Sequence, residues 1–218
     1  MSRTQGGRPP SPAPKKKSPP YLWIALGAMG VVALVTAVVL SGGDSKDPGM
    51  PSSATVAIAG DRLPIFTGNP NADPAVGMAA PTLAGEDFTG SAVSIADDGR
   101  PKVILFLAHW CPHCQREVPV VQAFEDAVGF PRDIDFYSVA TSYSSSQPNW
   151  PPSAWLAREG WTFPVVVDDP QSGALLAFGH GAFPYYVFLD AEGNVAMRLS
   201  GEQEPEVLVS LMERLVDS

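Results

Sequence analysis

The two cysteines of this chain, Cys111 and Cys114, are separated by only two residues. At the start of a helix, this spacing brings the two Cα atoms within the roughly 4.4–6.8 Å that a disulfide spans, and it closes a very small ring. The unpaired N–H groups of a first helical turn stabilise a thiolate there. Cys111 is therefore predicted to be the exposed nucleophile. Cys114, one turn further in, is predicted to be the buried thiol that resolves a mixed disulfide.

The residues between the cysteines suit this chemistry, and they are predicted to tune the redox behaviour of the pair. Pro112 fits the first turn of a helix because that position needs no N–H donor. His113 supplies a hydrogen-bond donor or a positive charge beside the thiolate. A zinc site would need more ligands, and the only other histidines are His109 and His180, which are expected at the surface or in loops. We therefore predict a redox pair with no metal and no cofactor.

Alternating strand and helix signals surround the pair. The apolar run Val103–Leu107 is typical of a strand buried on both faces, and it leads directly into Trp110 and the cysteines. Residues 111–128 follow as a helix. The remaining predicted elements are strands at 134–140, 164–167, 185–189 and 195–199, with helices at 154–159, 174–178 and from Pro205 onward. The last two strands form a hairpin, and the whole predicts an α/β fold with a mixed central sheet covered by helices on both faces.

The amino-terminal 40 residues differ in character from the rest, since they contain five basic residues and none of the 23 acidic ones. Residues 21–40 carry no charge and would span about 30 Å as a helix, the thickness of a bilayer core. This run is longer than the apolar core of a signal peptide, and no small-x-small cleavage site follows it. Lys15–Lys17 before the span and Tyr21 and Trp23 at its start place the amino terminus in the cytoplasm. A buried helix of a soluble protein is the alternative.

These patterns divide the chain into four parts. Residues 1–20 are predicted to be a disordered basic cytoplasmic tail, and residues 21–40 a single transmembrane helix. Residues 41–76, rich in Gly, Ser and Pro, are predicted to be a flexible linker that could hold a short edge strand. Residues 77–218 form the predicted catalytic domain, outside the cytoplasm. The net charge of −9 argues against nucleic acid as a partner.

From Val76 to its carboxyl end, the chain resembles the membrane-anchored thioredoxin-like proteins of the TlpA and ResA type. The resemblance implies a thioredoxin-like fold and a thiol-disulfide oxidoreductase. The partners it implies are exported cysteine-containing proteins and a membrane or extracytoplasmic redox partner. It rests on motifs that occur in order: Val76 to Pro81, Gly85 to Gly90, Phe106 to Cys114, Glu117 with Pro119, Phe163 to Val165, Phe183 with Pro184, and Asp190 to Asn194.

The resemblance also implies roles for single residues. Pro184 matches the cis-proline that faces the cysteines in this fold, where the preceding backbone can pair with an extended substrate. Trp110 and Phe183 are expected to contact the substrate beside it. Glu117 matches an acid that exchanges protons with the resolving thiol and tunes the pair, with an exposed helix carboxylate as the alternative.

The direction of electron flow has two interpretations. The Pro-His dipeptide is similar to that of the strongly oxidising DsbA proteins, because a stabilised reduced thiolate makes the disulfide a better oxidant. The TlpA-like frame, in contrast, often accompanies reduction, including that of apocytochrome c before haem attachment.

Three other classes of function remain as alternatives. A peroxiredoxin-like peroxidase would have Thr or Ser three residues before its cysteine, where this chain has Ala108. A copper-delivery protein would pair the cysteines with a suitably placed histidine. A binding module without catalysis would bind its partners equally well after both cysteines became serine.

Overall fold

The computed structural model describes residues 49–50 and 54–216. The predicted cytoplasmic tail, the predicted membrane span at 21–40 and most of the first part of the predicted linker lie outside these residues. Among the residues described, no helix combines the length and the apolar character needed to cross a membrane.

The described chain alternates strands and helices around one central sheet. That sheet has the order β6-β5-β4-β7-β8, with β4 parallel to β5 and antiparallel to β7. The predicted mixed α/β sheet is thereby confirmed. In chain order the elements are β1 (Ala57–Ala59), a 3-10 turn (Pro70–Ala72), β2 (Thr82–Glu86), β3 (Ala92–Ile95), β4 (Lys102–Leu107), α1 (Pro112–Ala127), β5 (Asp135–Ala140), α2 (Pro152–Arg158), β6 (Val165–Val167), α3 (Gly173–Ala177), β7 (Tyr185–Leu189), β8 (Val195–Ser200) and α4 (Pro205–Val216).

Strand β4 is buried along its whole length, so its side chains serve two cores. Successive side chains of a strand point to opposite faces of the sheet. Val103 and Leu105 accordingly belong to a core built with α1, α2 and α4. Ile104 and Phe106 belong to a second core, built with α3 and a small antiparallel sheet of order β1-β2-β3.

The sequence analysis did not predict strands β2 and β3 of the small sheet. Each contributes only one fully buried apolar side chain, Leu83 from β2 and Ile95 from β3. A single apolar residue in four or five gives no clear alternation, so the pattern carried little signal.

The folded domain begins earlier than predicted. The prediction of a flexible linker is wrong for residues 54–76. Strand β1 pairs with β2, Leu63 and Phe66 are buried in the second core, and Asp73 forms an ion pair with Arg198 in which both side chains are fully buried. The apolar residues of this segment occur in short pieces without a sustained period, which is why composition alone suggested a linker.

Arg198 on β8 fastens this amino-terminal segment to the domain. Its Nε donates to Asp73 Oδ2 at 2.7 Å, and its Nη1 donates to the carbonyls of Pro64 at 2.8 Å and Phe178 at 3.0 Å. Burial by itself would raise the pKa of Asp73, but the hydrogen bonds and charge of Arg198 hold it below its usual value. A buried charge is tolerated only when it is paired and hydrogen-bonded in this way.

Candidate active site

Three chain segments meet at one edge of the central sheet. β7 runs antiparallel to β4, so Phe106 near the end of β4 pairs with Tyr185 at the start of β7. Tyr185 in turn pairs with Ser200, the last residue of β8. The segments that follow β4, precede β7 and follow β8 therefore lie together, and they carry the residues described next.

Cys111 is the N-cap of α1 and has extended backbone angles, φ −74° and ψ 121°. Both cysteines are free thiols. The Cys111 Sγ donates to the carbonyl oxygen of Phe183 at 3.9 Å. Cys111 is only 6% exposed, so the prediction of an exposed thiol is corrected to one that is nearly buried against this carbonyl. Cys114 is 0% exposed, which leaves Cys111 as the more accessible of the two sulfur atoms.

Cys114 lies in the core beneath Cys111. Burial raises the pKa of its thiol far above the ordinary value, and the nearby charges of Cys111 and Glu117 add to the effect. Such a thiol keeps its proton until a neighbouring base removes it. This environment is the one expected for a resolving cysteine.

Glu117 on α1 is 2% exposed, so the alternative of an exposed helix carboxylate is wrong. Its Oε1 accepts a hydrogen bond from the Tyr186 hydroxyl, and both carboxylate oxygens accept from the Gln203 N–H, at 2.9 and 3.2 Å. Burial raises the pKa of Glu117 despite these bonds. A carboxyl group with a raised pKa in electrostatic contact with Cys114 has the properties of a proton-exchange partner.

The three residues expected to bind substrate lie beside Cys111. The Trp110 indole Nε1 donates to the Ser142 carbonyl at 2.6 Å, which fixes the ring next to the site. Its ring meets Phe183 edge-on, with centroids 6.1 Å apart. The Phe183–Pro184 peptide bond is cis, as the resemblance implies, and Pro184 is buried.

His113 is exposed, as expected for the first turn of a helix, but it has partners that the sequence analysis missed. Its Nδ1 lies 2.6 Å from Glu202 Oε1 and 2.8 Å from an Arg116 nitrogen. Arg116 could have been recognised, because it lies three residues after His113 on the same face of the helix. Glu202 and Gln203 gave no signal, since they lie in a polar loop far away in sequence. Within the described residues, no group of three or more His, Cys, Asp or Glu side chains could hold a metal ion.

His109 lies in the turn between β4 and α1, so the expected loop position is confirmed, but at 1% exposure it is not a surface residue. Its Nδ1 lies 2.6 Å from the Pro148 carbonyl, and its Nε2 accepts from the Ser144 N–H at 3.1 Å. Only a neutral imidazole can donate from Nδ1 and accept at Nε2. Burial lowers the pKa of His109, in agreement with this state. The histidine thus holds residues 141–151 beside Trp110.

The sequence and the fold of this chain are similar to those of known redox proteins. Residues 59–215 match the family model of Redoxin. The chain is 26% identical over 142 residues to the thiol-disulfide oxidoreductase ResA of Geobacillus thermodenitrificans, covering 65% of this chain and 78% of that protein. It is 29% identical over 128 residues to sporulation thiol-disulfide oxidoreductase A of Bacillus subtilis, covering 58% and 72%.

The thioredoxin domain of a thiol-disulfide oxidoreductase from Bacteroides vulgatus has the same fold. It superposes with a TM-score of 0.51 at 22% identity, covering 65% of this chain and 98% of that chain. The predicted thioredoxin-like fold is thereby confirmed. The family match runs from β1 to α4, so it includes both cysteines, Glu117 and Pro184. This protein is therefore a member of the Redoxin family and an oxidoreductase of the thioredoxin type.

Proposed function

We propose that this protein is a membrane-tethered thiol-disulfide oxidoreductase that exchanges a Cys111–Cys114 disulfide with the thiols of exported proteins. One observation carries the proposal: Cys111 lies at the amino end of α1 with its sulfur against the Phe183 carbonyl, above a fully buried Cys114. A sulfur that is the more accessible of the two, over one that is fully protected, is the arrangement that two-step disulfide exchange requires.

In the oxidising direction, a substrate thiolate attacks the Cys111 sulfur of the disulfide. The substrate–Cys111 bond forms, the Cys111–Cys114 bond breaks, and Cys114 leaves as a thiolate that takes up a proton. A second substrate thiolate then attacks the substrate sulfur of the mixed disulfide and releases Cys111. The substrate loses two electrons and the cysteine pair gains them. A membrane or extracytoplasmic redox partner then re-oxidises the pair.

Glu117 is suited to supply the proton that Cys114 needs as it leaves, and to accept it in the reverse direction. Its raised pKa supports this role, because a buried carboxyl group keeps a proton to a higher pH than an exposed one. Trp110, Phe183 and Pro184 would hold the extended substrate segment over Cys111, while Pro112 and His113 would tune the pair.

Trapping of mixed disulfides tests the exchange. Cys114→Ser should accumulate covalent complexes between Cys111 and exported cysteine-containing proteins, because the resolving thiol is gone. Cys111→Ser, the matched control, should trap far fewer, and the double variant none. Equal trapping by the two single variants, or none by either, would contradict the proposed roles.

The direction of transfer is tested by the reduction potential. We propose oxidation of exported thiols, since the Pro-His dipeptide favours a stabilised reduced form. The equilibrium between the protein and glutathione buffers should then show a pair more oxidising than thioredoxin. A pair as reducing as thioredoxin would support the reductase role in cytochrome c maturation instead.

The proposed topology places residues 1–20 in the cytoplasm and the domain outside. Protease added to intact cells, after removal of any outer wall or membrane, should cleave before Ala54 and release a redox-active fragment. Cleavage is expected there because β1 and the Asp73–Arg198 pair protect the chain from about Ala54 onward. A domain that survives until the cells are lysed would show that the orientation is wrong.

A further inference from the structure

The loop between β8 and α4 contacts three separate parts of the candidate active site. The Gly201 N–H donates to the Pro184 carbonyl at 2.8 Å. Glu202 faces the exposed side of α1, next to the cysteine pair. The Gln203 N–H donates to the buried carboxylate of Glu117. This loop therefore contacts the cis-proline, the dipeptide and the buried acid together.

Glu202 forms a compact cluster with Arg116 and His113. The Arg116 Nη2 donates to its Oε1 at 2.6 Å, and the Arg116 Nε donates to both oxygens at 3.1 and 3.2 Å. The His113 Nδ1 lies 2.6 Å from the same Oε1. A guanidinium that binds a carboxylate through two nitrogens has a fixed orientation as well as a neutralised charge.

Arg116 and His113 both belong to the first turns of α1, next to Cys111. Hydrogen bonding to Glu202 raises the pKa of Arg116, and the charge of the Cys111 thiolate contributes in the same direction. Arg116 and Cys111 are therefore within electrostatic reach of each other. The positive charge of Arg116 can therefore interact with two anions. One is the carboxylate of Glu202, and the other is the Cys111 thiolate, which exists only when the pair is reduced.

We propose that Glu202 is a positioning residue that sets the reduction potential of the Cys111–Cys114 pair by holding the positive charge of Arg116, with His113 beside it, on its own carboxylate. The inference rests on the proposed function, since it concerns the same exchange. A cation free to face Cys111 would stabilise the reduced thiolate and make the disulfide a stronger oxidant. Glu202 withdraws that cation, so it makes the pair less oxidising.

Three variants test the proposal: Glu202→Gln, Arg116→Gln and the double variant. Each full-length protein is equilibrated with glutathione buffers, and the reduced fraction is read by quenched alkylation. Glu202→Gln should shift the equilibrium constant about two- to fivefold towards the reduced protein, the size expected for a partly exposed ion pair. Arg116→Gln should shift it the other way. In the Arg116→Gln background, the effect of Glu202→Gln should fall to less than half.

Glu204→Gln provides the matched control. Glu204 lies on the same loop and has the same charge, but within the described chain it is not among the groups that contact Arg116 or His113. Its variant should change the equilibrium less than twofold. The rate of Cys111 alkylation at one fixed pH provides a second measurement: it should be higher in Glu202→Gln than in the wild-type protein.

The possible outcomes separate the two proposals. If Glu202→Gln leaves the equilibrium unchanged, shifts it no more than Glu204→Gln, or acts equally with and without Arg116, Glu202 does not position the charge of Arg116. The exchange itself would still be established, since all variants would equilibrate with glutathione. If the wild-type protein forms no Cys111–Cys114 disulfide in any buffer, the proposed function fails instead.

Discussion

The two sulfur atoms differ in surroundings although they lie one helical turn apart. Cys111 is at the boundary of α1 with its sulfur on a backbone carbonyl, whereas Cys114 is enclosed by the core and by Glu117. The spacing of the cysteines was enough to predict that Cys114 is the more deeply buried of the two. It could not indicate that Cys111 would be nearly covered, because that depends on Phe183, which lies far away in sequence.

This difference should be visible in alkylation. Iodoacetamide added to the reduced protein at mildly acidic pH should modify Cys111 first, because Cys114 is both inaccessible and protonated. Peptide mass spectrometry after short reaction times measures the order. Equal labelling of the two residues, or faster labelling of Cys114, would reverse the assignment of nucleophile and resolver.

Glu117 should make stability depend on pH in an unusual direction for a carboxylate. Its folded pKa lies above the ordinary 4.5, so the unfolded chain loses this proton first as the pH rises. Its contribution to stability is therefore present below about pH 4.5 and is lost as the pH rises through the folded value. As the pH rises from 4 to 8, the unfolding free energy of Glu117→Gln should therefore increase relative to that of the wild-type protein. Urea unfolding at several pH values measures this difference.

Glu213→Gln, an exposed carboxylate on α4, is the control for this experiment. Its difference from wild type should stay nearly constant over the same pH range. A constant difference for Glu117→Gln as well would mean that the Glu117 carboxylate is solvated in solution.

At the scale of elements, the sequence was informative wherever a run of apolar residues was continuous or periodic. β4, α1, the hairpin β7–β8 and α4 all lie within two residues of their predicted bounds. β2, β3 and the folded part of residues 54–76 were missed because their buried side chains occur singly. The loops that complete the site were also missed, since polar residues such as Glu202 acquire partners only through the tertiary fold.

The loop at residues 141–151 is held by the neutral ring of His109, so the stability of the protein should fall at acid pH. The pKa of His109 lies below the ordinary 6.5 because of burial. The unfolded chain therefore binds a proton first as the pH falls, and stability that is full above about pH 6.5 is lost below it. A proton on Nε2 would also face the Ser144 N–H, which needs an acceptor.

The unfolding free energy of the wild-type protein should fall between pH 7 and pH 5. In His109→Gln we expect most of this fall to be absent, whatever the stability of the variant at pH 7. His180→Gln, which replaces an exposed histidine, should keep the wild-type slope. If both variants behave like wild type in urea titrations, His109 does not hold the loop as a neutral ring.

At the scale of the whole molecule, the domain is a central sheet with a helical layer on one side and a layer of α3 and a small sheet on the other. The second layer includes β1 and the segment up to residue 76. Residues that composition assigns to a tether are thus part of the structural core, and on its amino-terminal side the folded unit includes the chain from Ala54 onward.

This boundary predicts the behaviour of two shortened chains. A chain beginning at Gly77 lacks Leu63, Phe66 and Asp73 and leaves Arg198 buried without its counter-ion, which should destabilise it by at least about 3 kcal/mol. A chain beginning at Ala54 keeps all of these contacts. Urea unfolding of the two chains measures the difference, and equal stability would show that the segment is dispensable.

The position of the β8–α4 loop also affects the order in which the site becomes complete during synthesis. Chains emerge amino end first, and domains fold as units. Both cysteines therefore leave the ribosome before Pro184, and well before Gly201, Glu202 and Gln203, which contact Pro184, Arg116 and Glu117. When Cys111 and Cys114 have just left the ribosome, the chain has two free thiols. It still lacks Pro184 and the loop residues that contact the site. Until the β8–α4 loop has been synthesised, this oxidoreductase is itself an unfolded cysteine-containing chain, and its thiols can form unwanted disulfides with other proteins.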